Sequence, residues 1–118
     1  MRFGIMYEQG DIVLIPVPFS DLTNRKQRPV LIISNDSYNK ATEDIVVVAI
    51  TSQLKDLDYS VVIESKDLVE GELKIKPAVR TDKVYTPSKV IVRKKFGQVN
   101  SHVLKSVRVK INELITNE

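Results

Sequence analysis

Short runs of β-branched residues and leucine recur at close intervals along this chain, and this pattern constrains its fold more than any other feature. Val30–Ile33 and Ile45–Ile50 are continuous apolar runs, which are typical of buried strands. Further short strands are predicted over Val13–Pro18, Tyr59–Glu64, Leu73–Val79, Val90–Val92 and Phe96–Val99. We expect the last two to pair as a hairpin. Repeated short strands without intervening helices indicate an antiparallel sheet that curls into a small barrel.

Only the end of the chain shows a long stretch of apolar residues at helical spacing. Val103, Val107 and Ile111 belong to this pattern, and Ser101 precedes them where a hydroxyl would cap the first turn. We expect the helix to cover one open end or face of the barrel. The segment Asn35–Glu43 has room for one further helical turn. The predicted fold is therefore mainly β with a C-terminal helix, in a single domain over residues 1–118.

Composition excludes several kinds of catalytic site. The chain has no cysteine and only one histidine, His102, so thiolate nucleophiles, zinc–thiolate sites and clusters of histidine ligands are impossible. We expect no metal and no other cofactor, and a structural role for His102. No run approaches the ~20 apolar residues that span a bilayer, which favours a cytoplasmic protein without a membrane partner.

Charge is distributed very unevenly along the chain. Residues 43–73 contain eight acidic residues against two lysines, whereas residues 74–112 contain eleven basic residues against Asp82 alone. Clustered lysine and arginine residues are the usual means of contacting phosphates, so one surface is predicted to face a polyanion. The alternative is that both segments are ordinary solvated faces of strands.

Four short motifs occur in order along the chain: Gly10-Asp11, Arg28-Pro29, Thr51-Ser52 and Arg80-Thr81-Asp82. Through these motifs the chain resembles toxins of the MazF/PemK type from about Gly10 to Ile115. The resemblance implies a barrel similar to an SH3 fold. It also implies a metal-independent endoribonuclease that cuts single-stranded RNA, forms a homodimer and is silenced by a cognate antitoxin.

The resemblance makes Arg28 the leading catalytic candidate, with Thr51 beside it. Arg28 has a planar guanidinium that can donate to two phosphate oxygens, and Pro29 biases it toward an extended conformation. Thr51 ends a buried run, so its hydroxyl can donate to a phosphate oxygen from a rigid position. The alternatives are a surface arginine paired with an acidic residue and an ordinary threonine at the end of a strand.

Arg80 and Asp82 complete the predicted catalytic set. They lie two apart on a predicted strand and therefore on one face, where Arg80 can hold a phosphate and Asp82 can accept a proton or orient the arginine. A plain surface ion pair is an equally good interpretation. Residues predicted to bind RNA are Phe19, Asn24, Lys26, Gln27, Ser52, Gln53 and Lys83.

The chain departs from the family's patterns in two places. A basic loop is predicted from Phe19 to Gln27, and its Thr23–Gln27 part differs from the family's familiar loop, as does Tyr85–Ser88 further along the chain. The resemblance therefore leaves the general base unassigned.

Two functions without catalysis compete with the nuclease. The same barrel could block another protein, as the related CcdB-type toxins do, or it could only bind nucleic acid. Arg28 with Thr51 favours the nuclease. Aromatic residues are only 6% of the chain and tryptophan is absent, which argues against a platform that reads RNA bases by stacking.

The charge pattern also predicts how such a toxin would be silenced. A groove suited to a polyanion is open to an acidic, flexible peptide that satisfies the same donors. We expect an acidic, partly disordered antitoxin segment to cover residues 20–27 together with Arg28 and Arg80, and to exclude RNA.

Overall fold

A computed structural model describes residues 6–18, 25–54 and 58–117 of the chain. The described residues form seven strands and two α-helices. The strands are β1 (Asp11–Pro18), β2 (Arg25–Ile32), β3 (Val47–Thr51), β4 (Ser60–Val62), β5 (Leu68–Glu70), β6 (Ala78–Tyr85) and β7 (Lys94–Val99). The helices are α1 (Asp36–Ala41) and α2 (Ser101–Ile115).

The strands form a single sheet in the order β4-β6-β3-β2-β1-β7-β5, and every neighbouring pair is antiparallel. The sheet curls into a half-barrel, and α2 packs against it. The predicted fold class, mainly β with a C-terminal helix, is confirmed. No helix among the described residues is long and apolar enough to cross a membrane.

Side chains alternate between two faces along each strand, and each face carries its own core. The first face packs against α2 and includes Ile12, Leu31 and Val79. The second face contains Val13 and Val30 together with their neighbours in the second cluster of buried residues. This second core occupies only part of its face, which leaves the rest available for polar side chains.

Helix α2 forms where the apolar spacing predicts it, but its cap differs by one residue. The side chain of Asn100 accepts a hydrogen bond from the backbone N–H of Val103, so Asn100 is the N-cap and Ser101 is the first helical residue. Val103 and Val107 are buried against the sheet, as their spacing predicts. The short helix α1 confirms the helical turn predicted within Asn35–Glu43.

Two of the predicted strands are wrong. Leu73–Val79 is not one strand, because β6 begins only at Ala78 and Leu73 is held by two hydrogen bonds between its backbone and the hydroxyl of Ser65. Residues Val90–Val92 do not form a strand either. A short 3-10 turn over Lys89–Ile91 occupies this position, so β7 pairs with β1 and β5 rather than in the predicted hairpin.

The structure also differs from the prediction at the start of β2 and at β5. Residues 25–27 belong to β2 and not to a loop, because they pair with the second half of β1. The rest of the predicted loop, residues 19–24, lies outside the described residues. The pattern did not predict β5, whose three residues are held against β7.

A buried carboxylate ties the first strand to its neighbour β7. Asp11 is completely buried, and its oxygens accept hydrogen bonds from the backbone N–H of Glu8 at 2.9 Å and from the Gln98 amide at 2.8 Å. The Nζ atom of Lys95 lies 3.4 Å from Oδ1 of Asp11 and 3.3 Å from Oε1 of Glu70. We call Asp11, Lys95 and Gln98 the anchor cluster. Because every buried oxygen of Asp11 has a donor, this charge is tolerated inside the fold.

Candidate active site

Strand β2 places Arg28 on the second face of the sheet. Arg28 lies directly opposite Ile15 of β1, and it shares its face with Val30, two residues further along the same strand. Val30 is buried in the second core, whereas Arg28 is exposed. Arg28 therefore lies at the edge of the packed second core, where its side chain is exposed to solvent.

Thr51 is the matching residue on β3. The pairing of Val30 with Ala49 fixes the register between β2 and β3. Continued by two residues, this register places Thr51 opposite Arg28 on the same face. The sheet thus brings together two residues that are 23 positions apart in the sequence.

The Thr51 hydroxyl is oriented by its own chain. Its oxygen accepts a hydrogen bond from the backbone N–H of Gln53 at 3.1 Å. A hydroxyl that accepts in this way keeps its proton available for donation. Thr51 is only partly buried, so this proton can reach a bound group on the second face.

Strand β6 adds Arg80 to the same face. Arg80 pairs with Ala49, which is two residues before Thr51 on β3. Arg80 and Thr51 are therefore diagonal neighbours, a relation that corresponds to about 7–8 Å between positions on adjacent strands. Arg28, Thr51 and Arg80 form what we call the polar row, which crosses three adjacent strands.

Asp82 holds the guanidinium of Arg80 from one side. Nε of Arg80 donates to one carboxylate oxygen at 2.9 Å, and Nη2 donates to the other at 2.7 Å. The two side chains keep 26% and 31% of their surface exposed, so the pair lies at the surface and Arg80 is partly accessible to solvent. The hydrogen bonds from Arg80 lower the pKa of Asp82 below its usual value, and Asp82 raises the pKa of Arg80.

An irregularity in β6 accompanies this arrangement. The register between β3 and β6 shifts after Arg80, so that Thr81, Asp82 and Lys83 have no partner residue on β3. Thr81 is buried and donates its hydroxyl hydrogen to the backbone oxygen of Tyr59 at 2.7 Å, which fixes the bulge. Bulges commonly redirect side chains beside functional sites.

The sheet brings together some of the residues predicted to bind RNA and separates others. Lys26 lies two residues before Arg28 and shares its face, while Gln27 between them points to the opposite face. Ser52 and Gln53 are exposed directly after Thr51. Lys83 is exposed next to Asp82, whereas Phe19 and Asn24 lie outside the described residues.

Sequence reasoning missed Ser60, which pairs directly with Arg80 across β4 and β6. Paired residues share a face, so this hydroxyl borders the polar row. No local signal distinguishes Ser60 in the sequence, because its position depends on the pairing of two strands. His102 is exposed in the first turn of α2, on the other side of the sheet from the polar row.

The polar row offers hydrogen-bond donors and positive charge rather than metal ligands. Within the part of the chain that the structure describes, no three histidine, cysteine or acidic residues are grouped so that they could hold a metal ion. Two guanidinium groups and a hydroxyl on one exposed face can donate hydrogen bonds to several oxygens of a phosphate group, and the guanidinium groups also balance its negative charge.

Comparison with known proteins identifies relatives along nearly the whole chain. The family model described as PemK-like, MazF-like toxin of type II toxin-antitoxin system matches residues 8–115. A comparison with curated proteins gives no match.

Several solved structures share the fold. A MazE-MazF crystal structure (Form-II) from Deinococcus radiodurans is similar over 95% of this chain and 97% of that chain, with a TM-score of 0.77 and 21% identity. An endoribonuclease from a mycobacterial species covers 95% and 93%, with a TM-score of 0.74 and 20% identity. The toxin MazF-mt6 from Mycobacterium tuberculosis covers 87% and 93%, with a TM-score of 0.71 and 19% identity.

Proposed function

Because the chain belongs to the family of PemK-like, MazF-like toxins of type II toxin-antitoxin systems, we propose that it is an endoribonuclease that cleaves single-stranded RNA and so inhibits translation and growth. The single observation that carries this proposal is the polar row. Three strands place Arg28, Thr51 and Arg80 on one exposed face, where their donors can meet a single phosphate group.

RNA supplies the nucleophile for this reaction. The 2′-oxygen attacks the adjacent phosphorus, the bond from phosphorus to the 5′-oxygen breaks, and the proton lost by the 2′-hydroxyl is balanced by one gained at the leaving oxygen. The products are a 2′,3′-cyclic phosphate and a 5′-hydroxyl. We infer that the protein's contribution is to position and neutralise the phosphate, and that the reaction needs no metal or other cofactor.

Each member of the polar row has a distinct part in this scheme. Arg28 donates to the non-bridging oxygens, which gain charge as the 2′-oxygen attacks. Thr51 donates the hydroxyl proton that its hydrogen bond with Gln53 leaves available. Arg80 adds a second positive charge from the neighbouring strand.

Asp82 acts on Arg80 rather than on the substrate. Both of its oxygens are engaged by the guanidinium, and its lowered pKa makes it a weak proton acceptor. We therefore assign Asp82 the role of a positioning residue, which leaves the outer side of Arg80 directed toward the phosphate. The alternative role of Asp82 as a general base predicts a much larger loss on substitution, which provides a test.

The RNA strand extends from the polar row along nearby charged and polar groups. Lys26, on the face of Arg28, contacts backbone phosphates, as does Lys83 beside Asp82. Ser52 and Gln53 follow Thr51 at the surface and contact the sugar or base. This arrangement makes RNA binding dependent on salt, because phosphate contacts release counterions.

The partners of this chain follow from its family. One of the similar solved structures is an endoribonuclease in complex with its cognate antitoxin. We propose that a cognate antitoxin also silences this chain, through an acidic segment that covers Arg28 and Arg80 and competes with RNA. We further propose that the chain works as a homodimer in the cytoplasm.

Cleavage in the presence of EDTA tests the proposed reaction. Purified protein is incubated with mixed RNA, and the new 5′ ends are mapped and their chemistry determined. We expect cuts within single-stranded regions, with 5′-hydroxyl ends and 2′,3′-cyclic phosphates. Loss of activity in EDTA that magnesium restores would refute the metal-independent mechanism, and 5′-phosphate ends would refute attack by the 2′-hydroxyl.

A further inference from the structure

The bulge in β6 brings Tyr85 next to the polar row, although Tyr85 follows Arg80 by five residues in the sequence. Arg80 is opposite Ala49 of β3. Tyr85 is opposite Val47, which lies only two residues from Ala49 on the same strand. Two residues of a strand span about 7 Å, whereas five residues of a regular strand would span about 17 Å. The three residues without a partner on β3, Thr81–Lys83, absorb the difference.

The bulge also sets the face on which Tyr85 lies. In a regular strand, residues five apart point to opposite faces. Here Tyr85 shares the face of its partner Val47, which is buried in the second core, and this is the face that carries Arg80. The hydrogen bonds from Arg80 to Asp82 contribute most to the raised pKa of Arg80, and Tyr85 adds a smaller contribution in the same direction. The phenol oxygen of Tyr85 therefore lies within electrostatic range of the guanidinium.

Tyr85 is an exposed aromatic residue in a chain that has few of them. The chain has four tyrosines, three phenylalanines and no tryptophan. Among the aromatic residues that the structure describes, Tyr85 is 41% exposed, Phe96 is 40% exposed and Tyr59 is 38% exposed. Phe96 lies on β7, four strands away from β6, and Tyr59 lies in the turn before β4. Of these three, only Tyr85 lies on a strand that contributes to the polar row.

We propose that Tyr85 stacks on one nucleobase of the single-stranded RNA, next to the phosphate that the polar row holds. This inference rests on the proposed function. A nucleotide carries a flat base several ångströms from its phosphate, so guanidinium donors beside an aromatic ring match its two halves. Stacking on an aromatic side chain is a common way in which proteins hold unpaired bases. Bases inside a duplex are already stacked, so this contact favours a single strand.

One ring beside the polar row is compatible with the low aromatic content of the chain. That content argues against a platform on which several bases stack, but a single stack needs only Tyr85. The contact is apolar, so it adds affinity without releasing counterions. It differs in this respect from a phosphate contact made by Lys83, the loss of which lowers the salt dependence of binding.

An engineered tryptophan reports on stacking directly, because the chain has none of its own. Tyr85→Trp is titrated with a single-stranded RNA whose 2′-hydroxyls are methylated, so that binding is not followed by attack of the 2′-oxygen. We expect stacking to quench about half or more of the tryptophan fluorescence. Phe96→Trp is the matched control, since Phe96 is equally exposed and lies four strands away, and its fluorescence should change little.

Two substitutions separate the ring of Tyr85 from its hydroxyl. Tyr85→Leu keeps an apolar side chain without a ring, and it should weaken binding of the methylated RNA by about tenfold with an unchanged salt dependence. Tyr85→Phe keeps the ring and should bind within about twofold of the wild type. On unmodified RNA, Tyr85→Leu should raise KM by about tenfold and leave kcat nearly unchanged, because stacking is equally strong before and during the reaction.

Three results would overturn stacking at Tyr85. They are equal quenching in the two tryptophan variants, wild-type affinity and KM in Tyr85→Leu, and a Tyr85→Phe variant that binds as weakly as Tyr85→Leu. The last result would mean that the hydroxyl makes the contact. The proposed nuclease is tested separately by cleavage of unmodified RNA. A wild-type chain that binds RNA without cleaving it, together with quenching in Tyr85→Trp alone, would refute only the nuclease.

Discussion

Two carboxylate–cation pairs lie near opposite ends of the sheet, and they differ in almost every physical respect. In the anchor cluster, Asp11 is completely buried and receives hydrogen bonds from a backbone N–H and an amide as well as the charge of Lys95. Near the polar row, Asp82 is partly exposed and receives both of its hydrogen bonds from Arg80.

The difference shows what each pair contributes. A buried carboxylate that loses its partners leaves unpaired groups in the interior, so the anchor cluster supports the fold. An exposed pair adds little stability, because water and salt screen it. The Arg80–Asp82 pair instead fixes the direction of a guanidinium that remains accessible, which is useful for binding an anion.

The largest effect is expected when a residue of the polar row is substituted, and it should fall on RNA cleavage without a change in stability. Arg28→Ala and Thr51→Ala should each lower the turnover of RNA cleavage by about 100- to 1000-fold, because each removes a donor to the charge that develops on the phosphate. Both variants should unfold at the wild-type temperature. Arg108→Ala, which removes an exposed arginine from α2, is the control and should cleave RNA normally.

In the anchor cluster, by contrast, a substitution is expected to lower the stability of the fold. Asp11→Ala should lower the free energy of unfolding by about 3 kcal/mol, because the Glu8 N–H, the Gln98 amide and Lys95 lose their common acceptor. Denaturant titration measures this loss, with Asp82→Ala as the exposed counterpart that should cost less than about 1 kcal/mol. Equal losses in the two variants would contradict the contrast between the pairs.

A smaller effect on activity distinguishes orientation from proton transfer at Asp82. Asp82→Asn should lower turnover by about tenfold or less, since it weakens the hold on Arg80 without removing a group that reacts. Removal of a general base typically costs 100-fold or more. Single-turnover cleavage at saturating enzyme separates the two outcomes, and a loss of about 1000-fold would establish Asp82 as the base.

Most of the fold could be predicted because its main signals are local. The run Ile45–Ile50 overlaps β3, and the helical spacing of Val103 and Val107 places α2 correctly. The failures occur where tertiary contacts override local preference. The β-branched residues Val90–Val92 overlap a 3-10 turn that Ser88 caps, and Leu73 is fixed by a contact with Ser65 across eight residues.

The candidate site depends on register, which a single sequence does not reveal. The motifs indicate Arg28 and Thr51 separately, but only the pairing of β2 with β3 places them side by side. The same reasoning explains why Ser60 was missed and why Gln27 was grouped with Lys26, although alternation directs the two side chains to opposite faces. The Arg80–Asp82 contact was easier to predict, since two residues on one strand need no partner strand.

The smallest effect concerns alkaline stability and reports on the anchor cluster. Burial lowers the pKa of Lys95, but attraction to Asp11 and hydrogen bonds with Glu70 and Asp11 outweigh it and raise that pKa above 10.5. A raised pKa contributes stability that is fully present below the unfolded value and is lost as the pH rises through the folded value. Lys95→Met should therefore be less stable than the wild type, by about 1 kcal/mol or less, at neutral pH.

That difference should persist up to about pH 10 and shrink above it, as the lysine of the wild-type chain loses its proton. Denaturant titrations of both proteins from about pH 8 to about pH 12 measure it, and the contributions of other titrating groups largely cancel in the comparison. A difference that stays constant or grows with pH would mean that the Lys95 stem contributes through packing rather than charge. In that case the buried carboxylate of Asp11 would be stabilised mainly by the Glu8 N–H and the Gln98 amide.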